Sequence, residues 1–150
     1  MINTFSMEKI FPFVSPKEHY TADVTVVWCF DARFRPLFNA YLQSRGFAEN
    51  RIDEIKCAGG ARALAVGSPD RDPILEQVKK SVLLHNPQTV ILMDHIDCGY
   101  TGGSKAFEGR EHEIDDHRRT LQESIKTVRE AIPGVTIEAI FADFEGVHLL

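Results

Sequence analysis

The sequence predicts an α/β protein with a parallel-rich central sheet of about four strands and helices on both faces. Two runs, Val24-Thr25-Val26-Val27-Trp28 and Thr89-Val90-Ile91-Leu92-Met93, are apolar and β-branched nearly throughout instead of alternating, the pattern of strands buried on both faces. Segments with apolar residues at helical spacing separate the strand-like runs, and this alternation selects a parallel sheet joined by right-handed crossovers. At 150 residues the chain has room for one domain with a real core, read as 23–150 behind an arm at 1–22.

The elements follow in order. The arm carries Phe5, Ile10, Phe11, Phe13 and Val14, while Pro12 and Pro16 interrupt any helix. So aromatic a segment must cover either its own domain or a second subunit. After the first strand, Leu37, Phe38, Tyr41 and Leu42 fall at helical spacing over 34–44, and Gly46 stands just past the end. Arg51 to Cys57 reads as a weaker strand that opens into the turn Ala58-Gly59-Gly60-Ala61-Arg62. A second helix starts with Asp72 as N-cap and Pro73 at its first position, buries Ile74, Leu75, Val78 and Val82, and ends near Asn86-Pro87. The Thr89–Met93 strand leads into Gly99-Tyr100-Thr101-Gly102-Gly103. A third helix runs from about Glu111 to Pro133-Gly134, with Ile114, Leu121, Ile125, Val128 and Ile132 inward, and Val135 to Phe141 is the fourth strand.

Composition narrows the function classes. A formal net charge of -5 argues against a nucleic-acid partner, which needs clustered Lys and Arg. No apolar run approaches the roughly 20 residues of a membrane span, and Met1 to Val14 lacks the basic start and apolar stretch of a signal peptide, so a cytoplasmic location is expected and no membrane partner. Three cysteines in such a chain point to metal binding or core packing rather than to disulfides.

The cysteines stand where chemistry would gather. Cys29-Phe30-Asp31-Ala32-Arg33 leaves the carboxyl end of the first strand, and Asp94-His95-Ile96-Asp97-Cys98-Gly99 leaves the carboxyl end of the third. In doubly wound sheets ligands collect at such ends, where the strand order reverses. Zinc (Zn2+) favours thiolate and imidazole donors, and a catalytic site keeps a fourth position open beside three protein ligands. Cys29, His95 and Cys98 supply such a set. Cys57 could add a third sulfur, and a closed site of that kind would be structural.

Cys29-x-Asp31-x-Arg33, the Ala58-Gly59 turn and His95-x-x-Cys98-Gly99 resemble, in that order, the three signatures of the β-class carbonic anhydrases, and the resemblance runs from about Val24 to Gly146. It implies a β-carbonic-anhydrase-like fold and a zinc lyase that interconverts carbon dioxide and bicarbonate by attack of zinc-bound hydroxide. Cys29, His95 and Cys98 would be the metal ligands and Asp31 a gate that either accepts a hydrogen bond from zinc-bound water or coordinates the metal. Arg33 would hold that gate off the metal. Gly59, Gly60 and Gly99 would border the substrate cleft, and the aromatic arm would cover a partner in a homodimer or larger homo-oligomer. Two other readings share the scaffold: a carbonyl sulfide or carbon disulfide hydrolase, and a non-catalytic zinc protein closed by Cys57. Lys56-Cys57 and Asp94 depart from the family's usual Arg-Asn and Gly, and Ala32 stands where Ser is common. Asp94 would orient a ligand or join an ion pair.

Elsewhere, Glu111-His112-Glu113-Ile114-Asp115-Asp116-His117 reads as a solvated acidic helix start, and His19, His85 and His148 read as isolated.

Overall fold

Strand β1 (Val24–Cys29) is buried along its whole length, which is why its side chains need not alternate between apolar and polar. It lies between β2 (Ile52–Cys57) and β3 (Thr89–His95); β4 (Thr136–Ala142) and β5 (Val147–His148) follow, giving the order β2-β1-β3-β4-β5. The first four strands are parallel and β5 is antiparallel to β4. The coordinates are a computed structural model that describes residues 8–150; Phe5 of the arm lies outside the described residues.

The sheet therefore has five strands rather than about four. β5 is two residues long, too short for any period to show, and it follows a turn in which the Asp143 carboxylate accepts the backbone N–H groups of Glu145 and Gly146.

Helices cover both faces, as the alternation of elements requires. Helix α1 (Arg35–Ser44) lays Phe38 and Leu42 on Val24, Val26, Trp28, Ile91 and Met93. Gly46, at φ +81°, turns the chain out of α1 in the left-handed conformation that glycine adopts without strain. On the other face, α2 (Arg71–His85) and α3 (Arg110–Ala131) bury Val78, Leu121 and Val128 against Val27, Val90 and Leu92. Helix α2 starts earlier than Asp72-Pro73 suggests: Asp70 is its N-cap and Arg71 its first residue. Pro73 then occupies the third helical position, where a missing N–H costs nothing because the first-turn donors have no intrahelical acceptor.

The chain crosses from β1 to β2 on one side and returns to place β3 on the other, so the order reverses between β1 and β3. The carboxyl ends of those two strands open one crevice.

Arm residues 8–20 hold no helix or strand, and Ile10, Phe11, Phe13 and Val14 are 76–91% exposed. These side chains do not cover their own domain. The arm is pinned where it meets the sheet: Tyr20 donates to Asp53 Oδ1 at 2.7 Å and packs on His85, whose Nδ1 lies 2.8 Å from Asp53 Oδ2. His148 Nε2 likewise lies 3.1 Å from Asp143 Oδ1. Neither His85 nor His148 is isolated.

Candidate metal centre

Cys29 ends β1, His95 ends β3, and Cys98 follows after one turn. One donor atom from each lies within 4.8 Å of the others, and all three residues are buried. His95 Nδ1 lies 2.8 Å from the Ile96 carbonyl oxygen, which can only accept, so Nδ1 carries the proton. Its Nε2 is buried with no hydrogen-bond partner. A buried, orphaned imidazole nitrogen beside two sulfurs is the donor set that zinc favours, so the residues fit the metal. The neighbouring Cys98 thiol holds Cys29 well below the ordinary thiol range against burial, and Cys29 together with burial pushes Cys98 well above it.

The turn beneath Cys29 is made of glycine for reasons of space. Gly60 has φ +57°, and a Cβ there would stand 2.5 Å from the Met93 carbonyl oxygen and 2.8 Å from the Cys29 nitrogen. It thus packs under the centre and does not border the cleft. A cleft of about 350 Å³ opens above, lined by Cys29, Phe30, Asp31, Gly59, Gly99 and Tyr100. The Tyr100 ring lies so close over Gly59 that a Cβ would sit 2.9 Å from it, whereas nothing crowds Gly99.

Asp31 and Arg33 form a forked pair. Arg33 Nε donates to both Asp31 oxygens at 3.1 Å and Nη2 donates to Oδ2 at 2.7 Å. The guanidinium holds the Asp31 carboxyl below the usual carboxylate range. Asp31 Oδ2 lies 4.0 Å from His95 Nε2, beside the donor cluster.

Asp97 was not singled out by the sequence. Arg33 Nη1 donates to Asp97 Oδ2 at 2.9 Å and Nη2 to its carbonyl oxygen at 3.0 Å. Asp97 has φ +55°, a conformation that Asp tolerates better than most residues, and its Oδ1 accepts the Ser104 N–H at 2.9 Å. Beside this contact, the Phe34 ring stacks on the His95 imidazole at 4.3 Å and on Phe144 at 5.2 Å.

Three expectations need correction or refinement. Cys57 pairs with Cys29 across β1 and β2, but it stands outside the donor group; its thiol donates to the Gly60 carbonyl at 3.4 Å, and burial pushes it up to about 12. Asp94 does not orient His95. Its Oδ1 accepts the Arg62 N–H at 3.2 Å and its Oδ2 lies 3.1 Å from His117 Nδ1. The acidic start of α3 is not wholly solvated: Glu113 and His117 are each 1% exposed, and Glu113 Oε1 accepts the Asp97 N–H at 2.6 Å. Their spacing could have shown this, because residues 113, 117, 121, 124 and 128 share one face of the helix.

A family model described as "Putative carbonic anhydrase" matches residues 19–148. The chain belongs to the carbonic anhydrase family. Among solved structures, a β-carbonic anhydrase isoform of Trichomonas vaginalis is 20% identical with a TM-score of 0.62, over 91% of this chain and 86% of that one. Tetrameric β-carbonic anhydrases of Sordaria macrospora give 16% and 0.53, over 87% of this chain and 81% of that one. The apo form of a carbon disulfide hydrolase gives 16% and 0.51, over 87% and 79%. At these identities the likeness is one of fold, and the fold is that of the β-class carbonic anhydrases. No curated protein matches.

Proposed function

We propose that this carbonic anhydrase family member catalyses the zinc-dependent, reversible hydration of carbon dioxide to bicarbonate. The observation that carries the reading is the unpartnered Nε2 of His95 beside two cysteine sulfurs, with a carboxylate held just outside. Cys29, His95 and Cys98 would hold the ion. Zinc there would supply a water acidic enough to serve as nucleophile near neutral pH. Asp31 Oδ2 is the acceptor available to orient that water, and Arg33 keeps the carboxylate ionised and turned toward itself. Phe30, Tyr100 and the Gly59 backbone give the cleft an apolar mouth suited to a small neutral substrate.

Stopped-flow hydration assays on zinc-loaded protein test this directly. Wild type is expected to be active between about pH 7 and 9, where such a water is ionised. Asp31→Asn should keep the metal and lose about a hundredfold in rate, the scale of a positioned proton acceptor. Metal-loaded wild type without hydration activity defeats the proposal. Sulfide release from carbonyl sulfide or carbon disulfide would instead identify the alternative hydrolase, and zinc loss in Cys57→Ser would favour the closed, non-catalytic site.

We further propose a homodimer or larger homo-oligomer in which the arm covers a partner subunit. The exposed Ile10, Phe11, Phe13 and Val14 support this, as does an open groove of about 580 Å³ along the β2 edge that includes Leu42, Phe47 and Ile52. Sedimentation should show a dimer or larger for the full chain and a smaller species without residues 1–18; a monomeric full chain contradicts the proposal. A cytoplasmic location is part of the same reading. Among the described residues no helix is long and apolar enough to cross a membrane.

A further inference from the structure

We propose that Asp97 is a positioning residue: from inside the loop that joins His95 to Cys98, it clamps Arg33 and so holds Asp31 away from the metal donors. The inference rests on the metal-centre reading given above.

Asp31 and Arg33 are two residues apart on one loop. An ion pair confined to one loop can move as a unit, so their mutual hydrogen bonds do not fix the carboxylate relative to ligands on another strand. That requires a contact from the pair to the segment that carries the ligands. Asp97 provides it, with its carboxylate on Nη1 and its carbonyl on Nη2 of Arg33. Together with the bonds to Asp31, these contacts use four of the five guanidinium N–H groups. The guanidinium carbon also lies 5.8 Å from the Phe34 ring centre and 5.6 Å from that of Phe144, which limits its swing.

Asp97 is itself fixed from three sides. Its N–H is held by the buried Glu113 carboxylate at 2.6 Å, and its Oδ1 by the Ser104 N–H. Gly103 packs against the same oxygen so closely that a Cβ there would stand 2.8 Å away. The Arg33–Asp97 pair is itself partly open to solvent, with side chains 48% and 37% exposed, but these contacts hold the Asp97 side of it in place, whereas a surface pair with both side chains mobile is worth little. The restraint therefore runs from helix α3 through Glu113, Asp97 and Arg33 to Asp31. Once the Asp97 side chain is removed, Arg33 keeps only the neutral carbonyl contact on that segment. Asp31 Oδ2, already 4.0 Å from His95 Nε2, is then free to swing toward the metal and compete with outside ligands.

The test uses cobalt(II)-substituted full-length protein and azide as an exogenous ligand, read by visible absorption. Asp97→Gly is the first variant, because glycine accepts φ +55° without strain. Asp97→Asn, which keeps the side-chain size and an acceptor oxygen, is the second should the glycine variant fold poorly. Wild type is expected to bind cobalt with thiolate charge-transfer bands and to take azide. Asp97→Gly should retain one metal per chain and bind azide at least about tenfold more weakly, the scale of lost outer-shell support, with Asp97→Asn in between. Adding Asp31→Asn to either variant should restore azide binding, because the loss acts through that carboxylate.

Unchanged azide affinity in the Asp97 variants overturns the inference, as does failure of the double variant to recover. Loss of the metal from folded Asp97 variants also overturns it, since Asp97 would then shape the ligand loop and not the arginine. Wild type that binds no cobalt, or binds it without thiolate bands, fails the metal reading itself, a separate result.

Discussion

Replacing Cys98 with serine is expected to leave a folded protein that no longer retains zinc through dialysis and shows no hydration above the buffer rate. Zinc sites of four protein donors bind with about 10–16 kcal/mol, so one donor carries about 2.5–4 kcal/mol, and its loss costs about two to three decades of affinity. The change is close to isosteric, and Cys98 lies in the loop after β3 rather than in the sheet, so the fold has little reason to fail. The checks are zinc per chain by elemental analysis and the far-ultraviolet circular dichroism of the same sample. Cys29→Ser should behave alike. A Cys98→Ser protein that keeps one zinc per chain would place the donors elsewhere.

The second large effect is on stability. His117→Leu should destabilise the fold by about 3 kcal/mol, because it strips one of two partners from a buried carboxylate. Asp94 is 1% exposed and retains only the Arg62 N–H at 3.2 Å once the imidazole is gone. The imidazole also packs on the Phe141 ring at 5.0 Å, a contact that leucine can partly replace, so most of the loss falls on the hydrogen bond. Urea titration should show a lower midpoint with an unchanged slope. Adding Asp94→Asn should recover part of the loss, since an amide is cheaper to leave half-satisfied than a carboxylate. An unchanged midpoint for His117→Leu would show that Asp94 is satisfied without the imidazole.

What the sequence made legible follows from how each feature is written into it. Val24 to Trp28 and Thr89 to Met93 could be read as buried strands because both their faces are covered, so no exposed position interrupts the run. The donors Cys29, His95 and Cys98 stood out because thiols and an imidazole at two strand ends have a common use. Other features leave no local mark. The contact of Asp97 with Arg33 depends on the meeting of two loops far apart in sequence, and no spacing within either loop announces it. Glu113 and His117 were readable in principle, yet an apolar stripe is traced through apolar residues, and buried polar ones on the same face drop out of the trace. Asp70 rather than Asp72 begins α2 because two acidic residues stand at the boundary and Pro73 is compatible with either choice.

The stack of Phe34 on His95 ties the imidazole's orientation to the packing of the domain interior. Phe34 is 2% exposed and meets Phe38, whose ring in turn meets Trp28. The hydrogen bond to Ile96 fixes which nitrogen faces the centre, while the tilt of the ring is set by a chain of aromatic contacts that passes through Phe38 of α1 and ends at Trp28 of β1. The geometry of this centre is thereby exposed to changes in residues that do not touch it. A volume change at Phe38 would be felt as an altered tilt of the imidazole, so a substitution in the interior reaches the donor group without touching it.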